Sequence, residues 1–470
     1  MSLSNFVIDK LIDNLSFEPT ECQRKLFDKL ALFVGDETEN DILIINGYAG
    51  TGKTSAIASL IKVLTGFSRK FFLMAPTGRA AKVLSGYTGK RATTIHKQIY
   101  RQKSLKDGIG YFTLDLNKNR DSFFIVDEAS LISASFGDSG IFGSGRVLED
   151  LVEYVKSGKG NKLILIGDSA QLPPVGETIS NALDMDHMKM FGEVDYAVLR
   201  DVVRQEKLSG VLHNATIIRE MIESGISDNL KLTAEGFDDV EFVSGADLIE
   251  KLNDAYSSWG YEETQVLCRS NKRANRYNHG IRTGILYRDE RLSRGDRLMV
   301  VKNCYQFLED IDELDFIANG DVAELVNISG YEERYGLTFA NATLSFMDYN
   351  FVEVDAKIIL DTLESEKASL SSDQSRALYE GVIEGYSHLA TKRKRMKAVR
   401  EDKYYNALQI KHANAITCHK SQGGQWKAIF VDNPFWKPDL TLEDLKWLYT
   451  AITRAVDKVY FINFDRRFYE

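Results

Sequence analysis

Ile42-Leu43-Ile44-Ile45-Asn46-Gly47-Tyr48-Ala49-Gly50-Thr51-Gly52-Lys53-Thr54-Ser55 is the stretch that decides the fold. A short run of β-formers feeds a turn of the form G-x-x-x-x-G-K-T, and a helical pattern opens at Ser55. Glycines at 47, 50 and 52 let backbone N–H groups close around a phosphate without Cβ clashes. Lys53 would reach the β/γ oxygens and the Thr54 hydroxyl would ligate Mg²⁺, with Thr51 and Ser55 completing the loop. A strand, a phosphate loop and a helix in that order form the first unit of a parallel α/β sheet that binds a nucleoside triphosphate.

Working outward, the next strands are easily found. Phe71–Ala75, Phe123–Val126, Leu163–Ile166 and Tyr196–Leu199 are short apolar runs separated by longer amphipathic or polar stretches. That alternation signals a parallel sheet with crossover helices. It returns in Gln265–Cys268, Ala415–Cys418, Ala428–Val431 and Val459–Ile462. Two RecA-like α/β domains are therefore expected, residues 1–200 and residues 201–300 with 408–470. Between them, 301–407 reads as an insertion. Its first part is strand-like with turn signals such as Asn319-Gly320-Asp321, suggesting a small, SH3-like β-barrel. Residues 361–406 are polar and free of proline, and read as helical. They contain the basic run Lys392-Arg393-Lys394-Arg395, read first as a solvated helix face and second as a nucleic-acid contact. A smaller insertion, 97–121, holds the Gly-rich turn Lys106-Asp107-Gly108-Ile109-Gly110 followed by Tyr111 and Phe112, a pattern consistent with a hairpin.

Phe123–Val126 ends in Asp127-Glu128. In a doubly wound sheet, ligands sit at the carboxyl ends of the strands, which sets this pair beside the phosphates. Asp127 would hold Mg²⁺, and Glu128 would orient and deprotonate the attacking water. A GTPase should carry Asn-Lys-x-Asp to read its base. Here Asn271-Lys272 continues as Arg273-Ala274 and lacks the carboxylate. A small-molecule kinase would leave the downstream motifs unexplained.

Composition is less decisive. The 470 residues suggest about three domains, and 44% hydrophobic with 27% charged residues is a globular balance. No apolar run reaches membrane-spanning length, and the N-terminus shows no signal-peptide pattern. Cys22, Cys268, Cys304 and Cys418 lie far apart and form no C-x-x-C pair, so neither a disulfide framework nor a zinc site is expected, and the cytoplasm is the default compartment. The net charge of −9 does not advertise nucleic-acid binding, but a basic groove can sit on an acidic protein.

Several motifs in a fixed order resemble those of superfamily 1 DNA helicases, in the branch that includes RecD and Dda. The resemblance covers most of the chain and thins over 300–407. Thr20-Glu21-Cys22-Gln23 looks like the adenine-reading Q motif. Ala75-Pro76-Thr77-Gly78-Arg79-Ala80-Ala81-Lys82 and Thr94-Ile95-His96 resemble motifs Ia and Ib, which implies that Pro76, Thr77 and His96 face single-stranded DNA. Gly167-Asp168-Ser169-Ala170-Gln171-Leu172-Pro173-Pro174-Val175-Gly176 is similar to motif III, with Gln171 sensing the γ-phosphate. Val203-Arg204-Gln205 resembles motif IV, whose arginine enters the nucleotide cleft. Thr417-Cys418-His419-Lys420-Ser421-Gln422-Gly423 resembles motif V, implying DNA contacts from Thr417 and His419 and a nucleotide contact from Gln422. The family often has Glu where Gln425 stands here, near the ribose. Leu448-Tyr449-Thr450-Ala451-Ile452-Thr453-Arg454-Ala455 looks like motif VI, with Arg454 as an arginine finger.

The resemblance thus implies an ATP-dependent helicase that moves on single-stranded DNA 5′ to 3′, with Lys53, Glu128, Gln171, Arg204 and Arg454 in catalysis and Tyr111 and Phe112 in a strand-separating pin. ATP and Mg²⁺ are the cofactors it implies, and DNA junctions its substrates. A translocase that displaces proteins without unwinding shares every motif. A nucleic-acid-binding subunit without catalysis would not need Lys53, Glu128, Gln171, Arg204 and Arg454 intact.

Overall fold

A computed structural model describes residues 3–35, 38–102, 112–135, 143–203, 209–308, 311, 314, 316–437 and 439–469. Its first sheet has six parallel strands in the order Ala92–Thr94, Phe71–Ala75, Phe123–Val126, Lys162–Gly167, Ile42–Gly47, Val194–Leu199. Side-chain alternation explains why this sheet is covered on both sides. Leu43, Ile45, Phe123, Ile125, Ile164 and Ile166 pack on one face with the helices Glu21–Val34 and Lys53–Gly66, through Phe27, Leu30, Ile57 and Leu60. Ile42, Ile44, Phe124, Val126, Leu163 and Leu165 pack on the other with the helix Val147–Lys156, through Leu148, Leu151 and Val155.

The second sheet is also parallel, in the order Ala415–Thr417, Thr264–Cys268, Trp426–Asp432, Ala455–Ile462, Val240–Val243. The segment between its halves closes into a five-stranded barrel of Arg297–Val300, Val322–Arg334, Leu337–Phe346, Val352–Ile359 and Leu408–His412. The barrel therefore begins before residue 301 and ends after residue 407. Strand Leu408–His412, expected in the second α/β unit, pairs with the barrel's first and fourth strands instead. Tyr335-Gly336 makes the two-residue turn between the longest strands, both with positive φ (56° and 72°), as a type I′ hairpin requires.

Residues 361–406 do contain helices, Ser372–Gly385 and Lys392–Glu401. Leu378, Val382 and Val399 cover a second apolar cluster with Phe339 and Tyr404, while Lys392, Arg393 and Lys394 are exposed. The expected hairpin is present as Tyr100–Gln102 against Phe112–Leu114. Tyr111 and the turn Lys106–Gly110 lie outside the described residues. Among the described residues, no helix is long and apolar enough to cross a membrane.

The two α/β units share an apolar cluster. Tyr48, Ala170 and Leu172 of the first pack with Trp447, Leu448 and Ala451 of the second, which sets the phosphate loop at the seam.

Candidate nucleotide site and nucleic-acid channel

The loop Gly47–Gly52 is built for close backbone approach. Gly50 and Gly52 have φ of 69° and 78°, and helix Lys53–Gly66 starts without a side-chain cap, so its first N–H groups face the loop's concavity. A Cβ on Gly47 would fall 2.6 Å from the Lys53 side chain. The Lys53 ammonium donates to the carbonyls of Gly47 and Tyr48, the latter at 2.9 Å, and lies 4.0 Å from Asp168. Thr54 is exposed at the helix start and Ser55 is half-buried behind it.

Asp127 and Glu128 stand at the end of the buried strand Phe123–Val126. The Tyr87 hydroxyl donates to Asp127 Oδ2 at 2.5 Å, and the Glu128 N–H donates to Oδ1 at 2.9 Å. Burial, and then the neighbouring Glu128 charge, push the Asp127 carboxyl up to about 6. Glu128 has φ of 53°, a left-handed conformation disfavoured for a residue with a Cβ. Its carboxylate lies 3.6 Å from the Arg454 guanidinium, which arrives from the second unit and is itself buried. Arg454 is held there by donating to the carbonyls of Thr450 and Gly424. Gln171 is also buried, and its Oε1 has no hydrogen-bond partner among the described residues.

The uncapped helix start, the left-handed glycines, the ammonium and the unpartnered Gln171 oxygen fit a triphosphate. Thr54 and Asp127 are the residues that could hold its divalent cation. No three His, Cys, Asp or Glu side chains gather into a metal cage among the described residues.

Other expected positions resolve differently. Gln23 is fully buried: its Oε1 accepts the Thr20 N–H at 3.0 Å and its Nε2 donates to the Thr51 carbonyl at 3.2 Å. Both ends of the amide are used within the chain, so it braces the loop rather than presenting itself to a base. Gln422 reaches across the cleft to the Leu172 carbonyl at 2.7 Å, and Gln425 offers its carbonyl to Arg79 at 2.9 Å. Both glutamines thus tie motif V to the first unit. Arg204 lies outside the described residues, although Val203 before it donates to the Gly50 carbonyl at 2.9 Å.

On the nucleic-acid side, Thr77 caps helix Gly78–Thr88, and Gly423 of motif V lies against it: a Cβ there would come 2.9 Å from the Thr77 hydroxyl. Motifs Ia and V therefore touch, with Pro76 and Thr417 half-buried at the ends of their strands and His419 half-buried in the turn after Thr417. A cavity of about 640 Å³ lies between the first unit and the barrel, with Lys82, Arg91, Thr94, Lys97, Phe316 and Tyr349 in its lining together with Asp348, which pairs with Lys82 at 3.5 Å. His96 does not open into it as expected. Its ring packs on Tyr100 and Phe316, and burial lowers its pKa to about 4. Phe112 joins the same aromatic cluster through Tyr305 and Phe316 and is buried. It forms the hairpin's base against the barrel, not an exposed wedge.

Tyr87, Arg79 and Tyr449 were not legible as site residues. Arg79 stacks on Trp426 at 4.1 Å across the cleft, and the Tyr449 hydroxyl bridges Asp168 and Ala49. Each partner is distant in sequence, and only the topology brings it near.

An AAA-domain family model matches residues 34–226, the first sheet and its phosphate loop. A UvrD-like helicase C-terminal domain model matches residues 412–462, which carry motifs V and VI. An uncharacterized protein of Methanocaldococcus jannaschii is 24% identical over 96% of this chain, which spans 38% of that relative's length. The ATP-dependent RecD2 DNA helicase of Deinococcus radiodurans is 26% identical over 33% of the chain and 19% of its own length. The RecD-like branch expected from the motifs is the one to which this relative belongs. The crystal structure of a Bacteroides Pif1 helicase with ADP-AlF3 and single-stranded DNA aligns with 97% of this chain and 95% of its own, at 15% identity and a TM-score of 0.48.

Proposed function

We propose that the chain is an ATP-dependent DNA helicase that translocates along single-stranded DNA 5′ to 3′. The observation that carries the reading is the approach of Arg454, on the second unit, to Glu128, on the first, across the cleft that holds the phosphate loop. Mg²⁺–ATP supplies the scissile phosphoryl bond and a divalent charge. Lys53 and the loop amides would bind its phosphates, and Thr54 and Asp127 would hold the cation. Glu128 would take a proton from the attacking water, and Gln171 would sense the γ-phosphate. Arg454, and Arg204 from the junction, stabilise charge only when the two units meet, so hydrolysis is tied to closure.

DNA is the substrate because three cations and two aromatic rings line the cavity above motifs Ia and Ib, the combination that tracks a phosphate backbone and stacks bases. Direction follows the RecD-like branch. Partially duplex DNA with either a 5′ or a 3′ single-stranded tail tests it. The 5′-tailed substrate is expected to unwind and the 3′-tailed one to resist. Preference for the 3′ tail overturns the direction, and ATP turnover on both without displacement of either strand reduces the activity to translocation.

A further inference from the structure

The Tyr449 hydroxyl sits where three functional segments meet. It projects from helix Leu442–Ile452 of the second unit and is almost wholly buried. It donates to Asp168 Oδ2 at 2.7 Å and accepts from the Ala49 N–H at 2.9 Å. Ala49 lies in the phosphate loop, and Asp168 follows the strand Lys162–Gly167 of the same sheet. One hydroxyl therefore joins the second unit to both.

Asp168 is a buried carboxylate with few donors. The Ala170 N–H reaches its Oδ1 at 2.9 Å, and the Lys53 ammonium stands 4.0 Å from Oδ2. Burial raises its pKa, and Lys53 and then Tyr449 act in the opposite sense. The Lys53 ammonium spends its hydrogen bonds on the Gly47 and Tyr48 carbonyls and reaches Asp168 only at 4.0 Å, the outer limit of an ion pair. To meet a phosphate it must leave the carbonyls of Gly47 and Tyr48 and move off Asp168, whose charge is then left to neutral donors. A buried charge that loses its partner is strongly unfavourable. The Tyr449 hydroxyl bond gains importance when Lys53 departs.

We propose that Tyr449 is a positioning residue for nucleotide binding: its hydroxyl stabilises Asp168 when Lys53 turns to the phosphates, so that filling the loop and seating the second unit favour each other. The inference rests on the ATP reading above, but not on the DNA reading. Reciprocity follows from linkage, since a nucleotide that strengthens a cross-cleft bond is bound more tightly when that bond can form.

The test is a double-mutant cycle read by calorimetric titration of the full chain with the Mg²⁺ complex of a non-hydrolysable ATP analogue, without DNA. Tyr449→Phe keeps the ring in the apolar cluster at the seam and removes only the hydroxyl. It is expected to weaken binding measurably, by at most about 10-fold, since one hydrogen bond to a charged group sets the ceiling and only its strengthening on binding counts. In an Asp168→Asn background the same substitution should change affinity less than about twofold, because no charge is left to hold. A general packing role would cost the same in both backgrounds, and that result overturns the inference, as does an unchanged affinity in Tyr449→Phe. Asp168→Asn alone, which frees Lys53, should bind at least as tightly as wild type, and weaker binding counts against the proposal even if Tyr449→Phe cannot be folded. If wild type does not bind the analogue, this inference and the ATP site fall together. If it binds but single-stranded DNA leaves its turnover unchanged, only the helicase reading falls.

Discussion

Glu128→Gln is expected to bind Mg²⁺–ATP within a few-fold of wild type and to turn it over about 10²–10⁴-fold more slowly, the usual contribution of a positioned general base. The amide has the carboxylate's shape, so the left-handed backbone at φ 53° and the strand before it should be undisturbed. It cannot accept the water's proton. It also removes the negative charge facing Arg454 at 3.6 Å, which makes the closed cleft less rather than more repulsive to phosphate. Equilibrium binding of a fluorescent nucleotide together with single-turnover hydrolysis separates the two effects. Wild-type turnover in the folded variant would remove Glu128 from the chemistry and, with it, the functional reading of the strand-end carboxylates.

Arg454→Lys should cost still more, about 10³–10⁵ in the DNA-stimulated rate, as expected for loss of an arginine finger. The guanidinium is buried and fixed by two carbonyls from its own unit, Thr450 and Gly424, while a further face points at Glu128. Lysine keeps the charge. It lacks the planar fork that holds both carbonyls and still addresses a phosphate. Nucleotide affinity should fall much less than turnover, because the loop amides and Lys53 belong to the other unit. A variant that loses binding and turnover in proportion would place Arg454 in ground-state binding instead.

How much of this was readable from the residues depended on how local each signal was. Ile42–Ile45, Phe71–Ala75 and Phe123–Val126 are apolar runs buried on both faces, and each became a central strand or its neighbour. Ala92–Thr94 and Val240–Val243, edge strands of three and four residues, are too short to stand out. The barrel's limits were displaced because Leu408–His412 has only two apolar residues, Leu408 and Ile410, and does not stand out as a strand in the sequence. Its pairing with Arg297–Val300 is a matter of topology.

The phosphate loop and Asp127-Glu128 were legible because their spacing is itself the chemistry. Thr20-x-x-Gln23 is a capping box as well as a base-reading pattern, and the capping box is how the Gln23 Oε1 is used here. His96 and Phe112 show the same limit: a motif position and an aromatic beside a turn both look exposed in one dimension, while the barrel's Phe316 covers them in three. Tyr449 was quoted within its motif, yet nothing near it in sequence points to Ala49 or Asp168.

Hydrolysis is expected to depend on the two units closing around a nucleic-acid strand. Steady-state ATP turnover of the full chain, measured with and without an unstructured single-stranded DNA oligonucleotide at fixed salt, tests it most directly. The expected result is a rate at least about tenfold higher with DNA, consistent with an arginine supplied across the cleft, and a stimulation that weakens as salt displaces the strand from the cavity's cations. An equal rate with and without DNA would contradict the account, whatever the rate itself.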